Sequence, residues 1–268
     1  MFTPKYIVNL ILNEIGYYGE YIINKKIIEP SFGDGVFLIE IIDRLIKECF
    51  SLNLDKKETV KQIENNIYGI EIDKKLFDNT IYSIKNLLKM NGLPIDINLK
   101  LYNINALEYK EFNKFDFVVG NPPYIKTKNL DRYNLDLIKT FDFSKGNTDM
   151  YVIFYELGIK LLNNNGKLGF ITPNSFMKNT SQRNFRSYLI ENNLIEKILD
   201  FKSYMVFEDF LTYTAISIIN KNKNDDNLIY INYDKESDDY LYSFNIDILN
   251  YPKNEIWNFS TKENYEFL

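Results

Sequence analysis

Seven short runs rich in β-branched and aromatic residues, at 26–28, 67–70, 100–103, 115–119, 167–171, 195–201 and 215–220, alternate with longer amphipathic stretches. Nothing else in the chain restricts its fold so strongly. The runs lack a strict apolar-polar alternation, which is the pattern of strands covered on both faces. Helices are expected at 6–15, 36–50, 74–90, 151–162 and 181–191. Strands and helices in this order build an α/β fold, a doubly wound and mainly parallel seven-stranded sheet. On open sheets of that kind ligands bind beyond the carboxyl ends of the strands, and three chemically suggestive motifs fall at such ends.

Composition removes several kinds of chemistry. The chain has no histidine, which excludes Ser-His-Asp and Cys-His arrangements, imidazole acid-base catalysis and most zinc sites, so no metal is expected. A single cysteine, Cys49, leaves no disulfide to form. No apolar run approaches the ~20 residues of a membrane span and no signal peptide is visible, so a cytoplasmic protein without a membrane partner is expected. The net charge of −5 is local: residues 221–268 hold ten acids against five bases, and the first 220 residues balance. The polar stretch KNKNDDN at 221–227 marks an expected boundary between a catalytic domain at 1–220 and an acidic tail at 221–268.

The first motif is EPSFGDGVF at 29–37, where a strand stops at Glu29-Pro30 and turns through Gly33 and Gly35 into a helix. Glycines let backbone pass close to a ligand, and the helix start behind them offers free N–H groups. The flanking acids would repel a pyrophosphate, so a cationic or zwitterionic ligand such as S-adenosylmethionine fits better. A plain strand-to-helix connection is the alternative. The second motif, YGIEID at 68–73, puts Glu71 just past the neighbouring strand, where a carboxylate can accept both ribose hydroxyls, with Ile72 free to pack on an adenine face. Asp73 is expected to cap the following helix.

The third motif is FDFVVGNPPY at 115–124. Two prolines cannot donate to a sheet, so the chain must leave the ladder after Asn121. The Asn121 side-chain oxygen and the Pro122 carbonyl can then converge as two acceptors beside the Tyr124 ring. Such a pair suits a planar amino group, because accepting both of its hydrogens favours a more tetrahedral nitrogen whose lone pair can attack a methyl carbon. That route needs no general base before transfer. Tyr124 adds a stacking face, worth ~1–3 kcal/mol per base, against the few kcal/mol it costs to flip a base. An ordinary strand-ending turn is the alternative.

In this order the motifs resemble the amino-methylating DNA methyltransferases, and in particular the adenine-N6 enzymes of bacterial restriction-modification systems. The resemblance runs from Thr3-Pro4 to Asn220 and also includes DMYVIFYELGIKLLNNNGKLGFITPNSF at 149–176. It implies a Rossmann-like fold that binds S-adenosylmethionine and transfers its methyl group to the N6 amine of a flipped adenine in DNA. It further implies that Thr3 and Pro4 help hold the methionine end of the cofactor, and that Glu29, Pro30, Gly33 and Gly35 form the cofactor loop. Glu71 would meet the ribose, Ile72 the adenine, and Phe154 the adenine's other side, with a core aromatic on a helix face as the alternative for Phe154. Asn105 stands where the family usually has an aspartate that accepts from the adenine amine. Phe207, with Phe210 as the second choice, would clamp the target base against Tyr124.

Bases flanking the expected base pocket, Lys126, Lys128, Arg132, Lys178, Arg183 and Arg186, are candidates for phosphate contacts that position DNA without reading it. Any single one of them can equally be a solvated surface charge. The closing stretch YPKNEIWNFSTKENYEFL resembles the entry to a target-recognition domain, so a specificity polypeptide, a restriction endonuclease or a missing carboxyl-terminal half is an expected partner. Two other readings share the motif. Glutamine-N5 methyltransferases of release factors also carry Asn-Pro-Pro-Tyr, and a degenerate methyltransferase can serve as a DNA-binding subunit.

Overall fold

The computed structural model describes residues 3–145, 148–202, 206–207, 212–234, 239–251 and 256–259. The chain divides into two compact units, 1–121 with 160–169, and 122–159 with 170–268.

In the first unit, helix α1 (Lys5–Glu14) precedes β1 (Ile27–Glu29), α2 (Val36–Ser51), α3 (Lys56–Asn66), β2 (Ile67–Ile70), α4 (Lys74–Met90), β3 (Lys100–Tyr102) and β4 (Phe115–Gly120). The strands run in the order β3-β2-β1-β4, and the paired neighbours β3-β2, β2-β1 and β1-β4 are all parallel. Ile27 is level with both Ile67 and Phe117, so Glu29, Glu71 and Asn121 all fall at the carboxyl edge. Burial explains the pattern read from sequence: Ile27, Ile28, Ile67, Ile70 and Val118 are covered on both faces of the sheet, which leaves no polar side to alternate.

Two helices escape the apolar pattern. Helix α3 buries only Thr59, Ile63 and Asn66, too few for an apolar stripe, and is started by Asp55, whose side chain accepts from the Glu58 N–H. In the second unit α5 (Arg132–Ile138) breaks the expected loop, and Asp131 caps it by accepting from the Asn134 N–H. The expected helix 74–90 is observed over the same residues, and Asp73 caps it through the Lys75 and Leu76 N–H groups.

The second unit contains most of α6 (Met150–Leu161), then the end of β5 (Leu162–Pro173), α7 (Arg183–Glu191), β6 (Ile195–Asp200), β7 (Thr214–Asn220), β8 (Asn227–Asp234) and β9 (Asp239–Asp247). Its strands follow the order β5-β7-β6-β8-β9. β7 and β9 run antiparallel to β6 and β8, whereas β8 lies parallel to β6. The described residues therefore make nine strands, not seven. The extra two come from the segment expected to be a tail: Leu228, Tyr230, Ile231 and Ile246 are buried, and their apolar side chains give β8 and β9 a face to cover. Trp257 and Phe259 close over the same unit, with Trp257 set edge-on against Phe176 at 6.1 Å between ring centres. No helix among the described residues is long and apolar enough to cross a membrane.

Candidate active site

In the first unit the glycine turn is held by two backbone hydrogen bonds. Phe32 N–H donates to the Ile70 carbonyl, and Gly35 N–H donates back to Phe32. Gly33 (φ +54°) and Gly35 (φ +77°) both adopt left-handed backbone, which other residues enter at a cost of ~1–2 kcal/mol. Their surroundings differ. A Cβ on Gly35 would lie 2.3 Å from the Thr80 side chain, so this glycine is required by packing between α2 and α4. A Cβ on Gly33 would project into open space, so this glycine leaves room in front of the turn.

Glu71 stands beside that space and is buried. One carboxylate oxygen accepts from Gly33 N–H at 2.8 Å and the other from Asp73 N–H at 2.7 Å. Each oxygen keeps a second lone-pair direction, so the carboxylate is aimed by the backbone and still able to accept from a diol. Ile72 follows it and is 64% exposed, an open apolar face. Asn103, which the sequence reading passed over, supports both: its side-chain N–H groups donate to the Glu71 and Ile72 carbonyls. A polar residue one position past a short edge strand was the signal available. Asn105 is turned to a local task, its oxygen accepting from Leu107 N–H at 3.1 Å.

Among the buried side-chain oxygens of this unit that have no hydrogen-bond partner are one on Glu29 and one on Asn121. Burial, with Asp34 and Glu71 adding negative potential, pushes the Glu29 carboxyl well above its ordinary range, while a Leu38 backbone hydrogen bond opposes the shift. Such a group is poised for a cation, which would restore its charge. At the end of β4, the Asn121 side-chain N–H donates to the Thr3 hydroxyl at 3.1 Å, leaving Oδ1 as the orphan. Pro4 begins α1, its carbonyl accepting from Ile7 and Val8. The glycine turn, aimed carboxylate, exposed isoleucine and buried acid suit a zwitterionic nucleoside such as S-adenosylmethionine.

The second unit starts at Pro122. Tyr124 donates its hydroxyl to the Ile171 carbonyl at 3.1 Å, and burial pushes the phenol well above its ordinary pKa, so it stays a neutral donor. Its ring meets Tyr151 and Phe207 edge-on, at 6.3 and 6.4 Å between centres. Phe207 was expected as an exposed loop aromatic. It is 3% exposed and lies edge-on to the Tyr124 ring. Phe210 lies outside the described residues. Phe154 is buried on α6, whose residues 150–159 are buried on every side.

The expected phosphate-contacting bases divide. Lys128, Arg132, Lys178 and Arg183 are exposed, and Lys126 is exposed while pairing with Asp149 at 2.9 Å. Arg186 is a correction. It is 1% exposed, with its guanidinium donating to the Phe176 and Asn179 carbonyls at 2.7 Å, so it ties down the turn after β5 and does not present its charge to solvent. A sequence shows the spacing of a charge but not which carbonyls need capping.

The fold is that of the class I S-adenosylmethionine-dependent methyltransferases. A putative member of that class from Listeria monocytogenes matches with a TM-score of 0.59 over 83% of this chain and 61% of its own, at 17% identity. The model of the Eco57I restriction-modification methylase family matches residues 36–207, and the chain belongs to that family. Among its relatives are the type II methyltransferase M.BstVI of Geobacillus stearothermophilus, 31% identical over 84% of this chain and 42% of its own length. The type II methyltransferase M.PaeR7I of Pseudomonas aeruginosa is 30% identical over 82% of this chain and 40% of its own. The chain thus spans about two fifths of the curated relatives it matches.

Proposed function

We propose that this chain is the catalytic part of an adenine-N6 DNA methyltransferase of a restriction-modification system, acting on a base flipped out of the duplex. S-adenosylmethionine, when bound, supplies a methyl group on a sulfonium. Glu71 accepts the ribose hydroxyls, Ile72 packs on the adenine, and Glu29 faces the cationic end. Asn121 Oδ1 and the Pro122 carbonyl accept the two hydrogens of the target amine and turn its lone pair toward the methyl carbon. Tyr124 stacks on one face of the base and Phe207 on the other. Lys126, Lys128, Arg132, Lys178 and Arg183 meet phosphates. Specificity comes from a recognition region, either on a longer chain or on a partner polypeptide.

The observation that carries this reading is the buried Asn121 oxygen with no donor, immediately before Pro122. A buried acceptor left unpaired costs about 1–3 kcal/mol, and an exocyclic amine would satisfy it. The family match favours DNA over the glutamine amide of a release factor.

The test is incubation of the protein with unmethylated genomic DNA and tritiated S-adenosylmethionine, followed by nucleoside digestion and mass spectrometry. Label is expected in N6-methyladenine. Label in N4-methylcytosine, or only in protein, would overturn the assignment. Asn121→Ala is expected to lower turnover by ~10²–10³, on the scale of one preorganised polar group, with cofactor affinity measured by calorimetry nearly unchanged.

A further inference from the structure

We infer that Thr3 is a positioning residue for Asn121, fixing the plane of the carboxamide whose oxygen meets the target amine. This rests on the catalytic reading of Asn121. Thr3 and Asn121 are 118 positions apart in sequence, yet the Asn121 side-chain N–H donates to the Thr3 hydroxyl at 3.1 Å. Thr3 is itself buried, so little water competes for the contact. The other end of the same amide, Oδ1, is buried and without a partner.

An asparagine side chain turns about its last torsion through a broad, roughly two-fold well, so neither its plane nor its orientation is set by sterics alone. An amide turned out of its plane would carry Oδ1 away from the incoming amine, and the nucleophile would lose its acceptor. The Thr3 hydroxyl anchors the plane. An amide that donates through nitrogen is also a better acceptor through oxygen, because hydrogen bonds in series polarise one another. Thr3 thus acts through Asn121 on the lone pair of the amine, in place of the cofactor contact that the family resemblance implies for it, which would appear as a change of cofactor affinity.

Thr3→Val removes the hydroxyl at nearly constant volume, and Thr3→Ser keeps it. With unmethylated genomic DNA as substrate, Thr3→Val is expected to lower kcat about 10-fold, the scale of one neutral hydrogen bond. KM and calorimetric cofactor affinity should change by less than about 2-fold, and Thr3→Ser should restore turnover. In an Asn121→Ala background Thr3→Val should have no further effect. A second readout needs no turnover: in protein labelled with 15N-asparagine, the Asn121 carboxamide, identified by its loss in Asn121→Ala, should exchange its protons faster in Thr3→Val than in wild type or Thr3→Ser. Unchanged exchange, or a Thr3→Val defect confined to cofactor affinity, would overturn the inference. If Asn121→Ala methylates at the wild-type rate, the catalytic reading itself fails, whatever Thr3 does to proton exchange.

Discussion

Glu29 shows how a single side chain can be costly to the fold and, on the proposed function, useful to the site. Its carboxyl is buried, one oxygen has no partner, and its folded pKa lies well above the unfolded value of about 4.3. The stability tied to the protonated form is fully present below that unfolded value and is lost as pH rises through the folded one. Glu29→Gln is therefore expected to be more stable than wild type at neutral pH, with the difference shrinking toward pH ~4. Urea midpoints across that range check this, and a constant difference would remove the titration account. Cofactor affinity should fall in the same variant, since a neutral amide does not attract an ammonium. At this scale the places of Glu71 and Asn121 just past their strands were legible, because the apolar runs before them end where the strands do. The Asn105 cap and the buried Arg186 were not, because their partners are backbone groups that only the folded path supplies.

Elements with an apolar rhythm were readable from sequence, and elements held by caps were not. Helix α4 keeps the expected limits because Thr80, Ile84 and Leu88 fall on one buried face. Helices α3 and α5 depend on Asp55 and Asp131, whose side chains serve turns and caps alike, so composition alone does not separate them from a polar loop. β5 runs from Leu162, five residues before its expected start, since the polar stretch NNNGK carries no strand signal and takes its form from neighbours. The junction of β1 and α2 is the most demanding element. Gly35→Ala forces an L-residue into left-handed backbone and drives its Cβ against Thr80. A loss of at least about 1–2 kcal/mol is expected from the backbone alone, read as a lower denaturant midpoint. A variant as stable as wild type would show that the turn relaxes.

For the molecule as a whole, the described residues at 221–234, 239–251 and 256–259 belong to the unit that carries Tyr124. β8 supplies the parallel neighbour of β6, and the Tyr230 hydroxyl reaches buried Asp200 at 2.6 Å. Asp200 also accepts from Asn174 and the Lys202 N–H. Trp257 covers Phe176 in the same unit. Trp257→Ala is expected to cost about 3–5 kcal/mol, the usual range for a buried tryptophan, measurable by chemical denaturation. A cost under about 1 kcal/mol would return the segment to the status of a loose tail. Its acidic composition concealed this, because net charge reports on solvation while apolar residues at alternate positions decide pairing.

The guanidinium sealed beneath residues 174–179 has one more consequence, for ionic strength. Each phosphate neutralised by a protein cation steepens the fall of duplex affinity with salt by ~0.9 in a double-logarithmic plot. Arg186 should contribute nothing to that slope, and Arg186→Ala is expected to betray itself as poor yield or early melting while whatever protein survives keeps the parental salt response. Arg183→Ala, three positions away, should do the opposite. Two arginines one helical turn apart would then hold separate offices, one facing the counterions of a polyanion and the other keeping a loop closed.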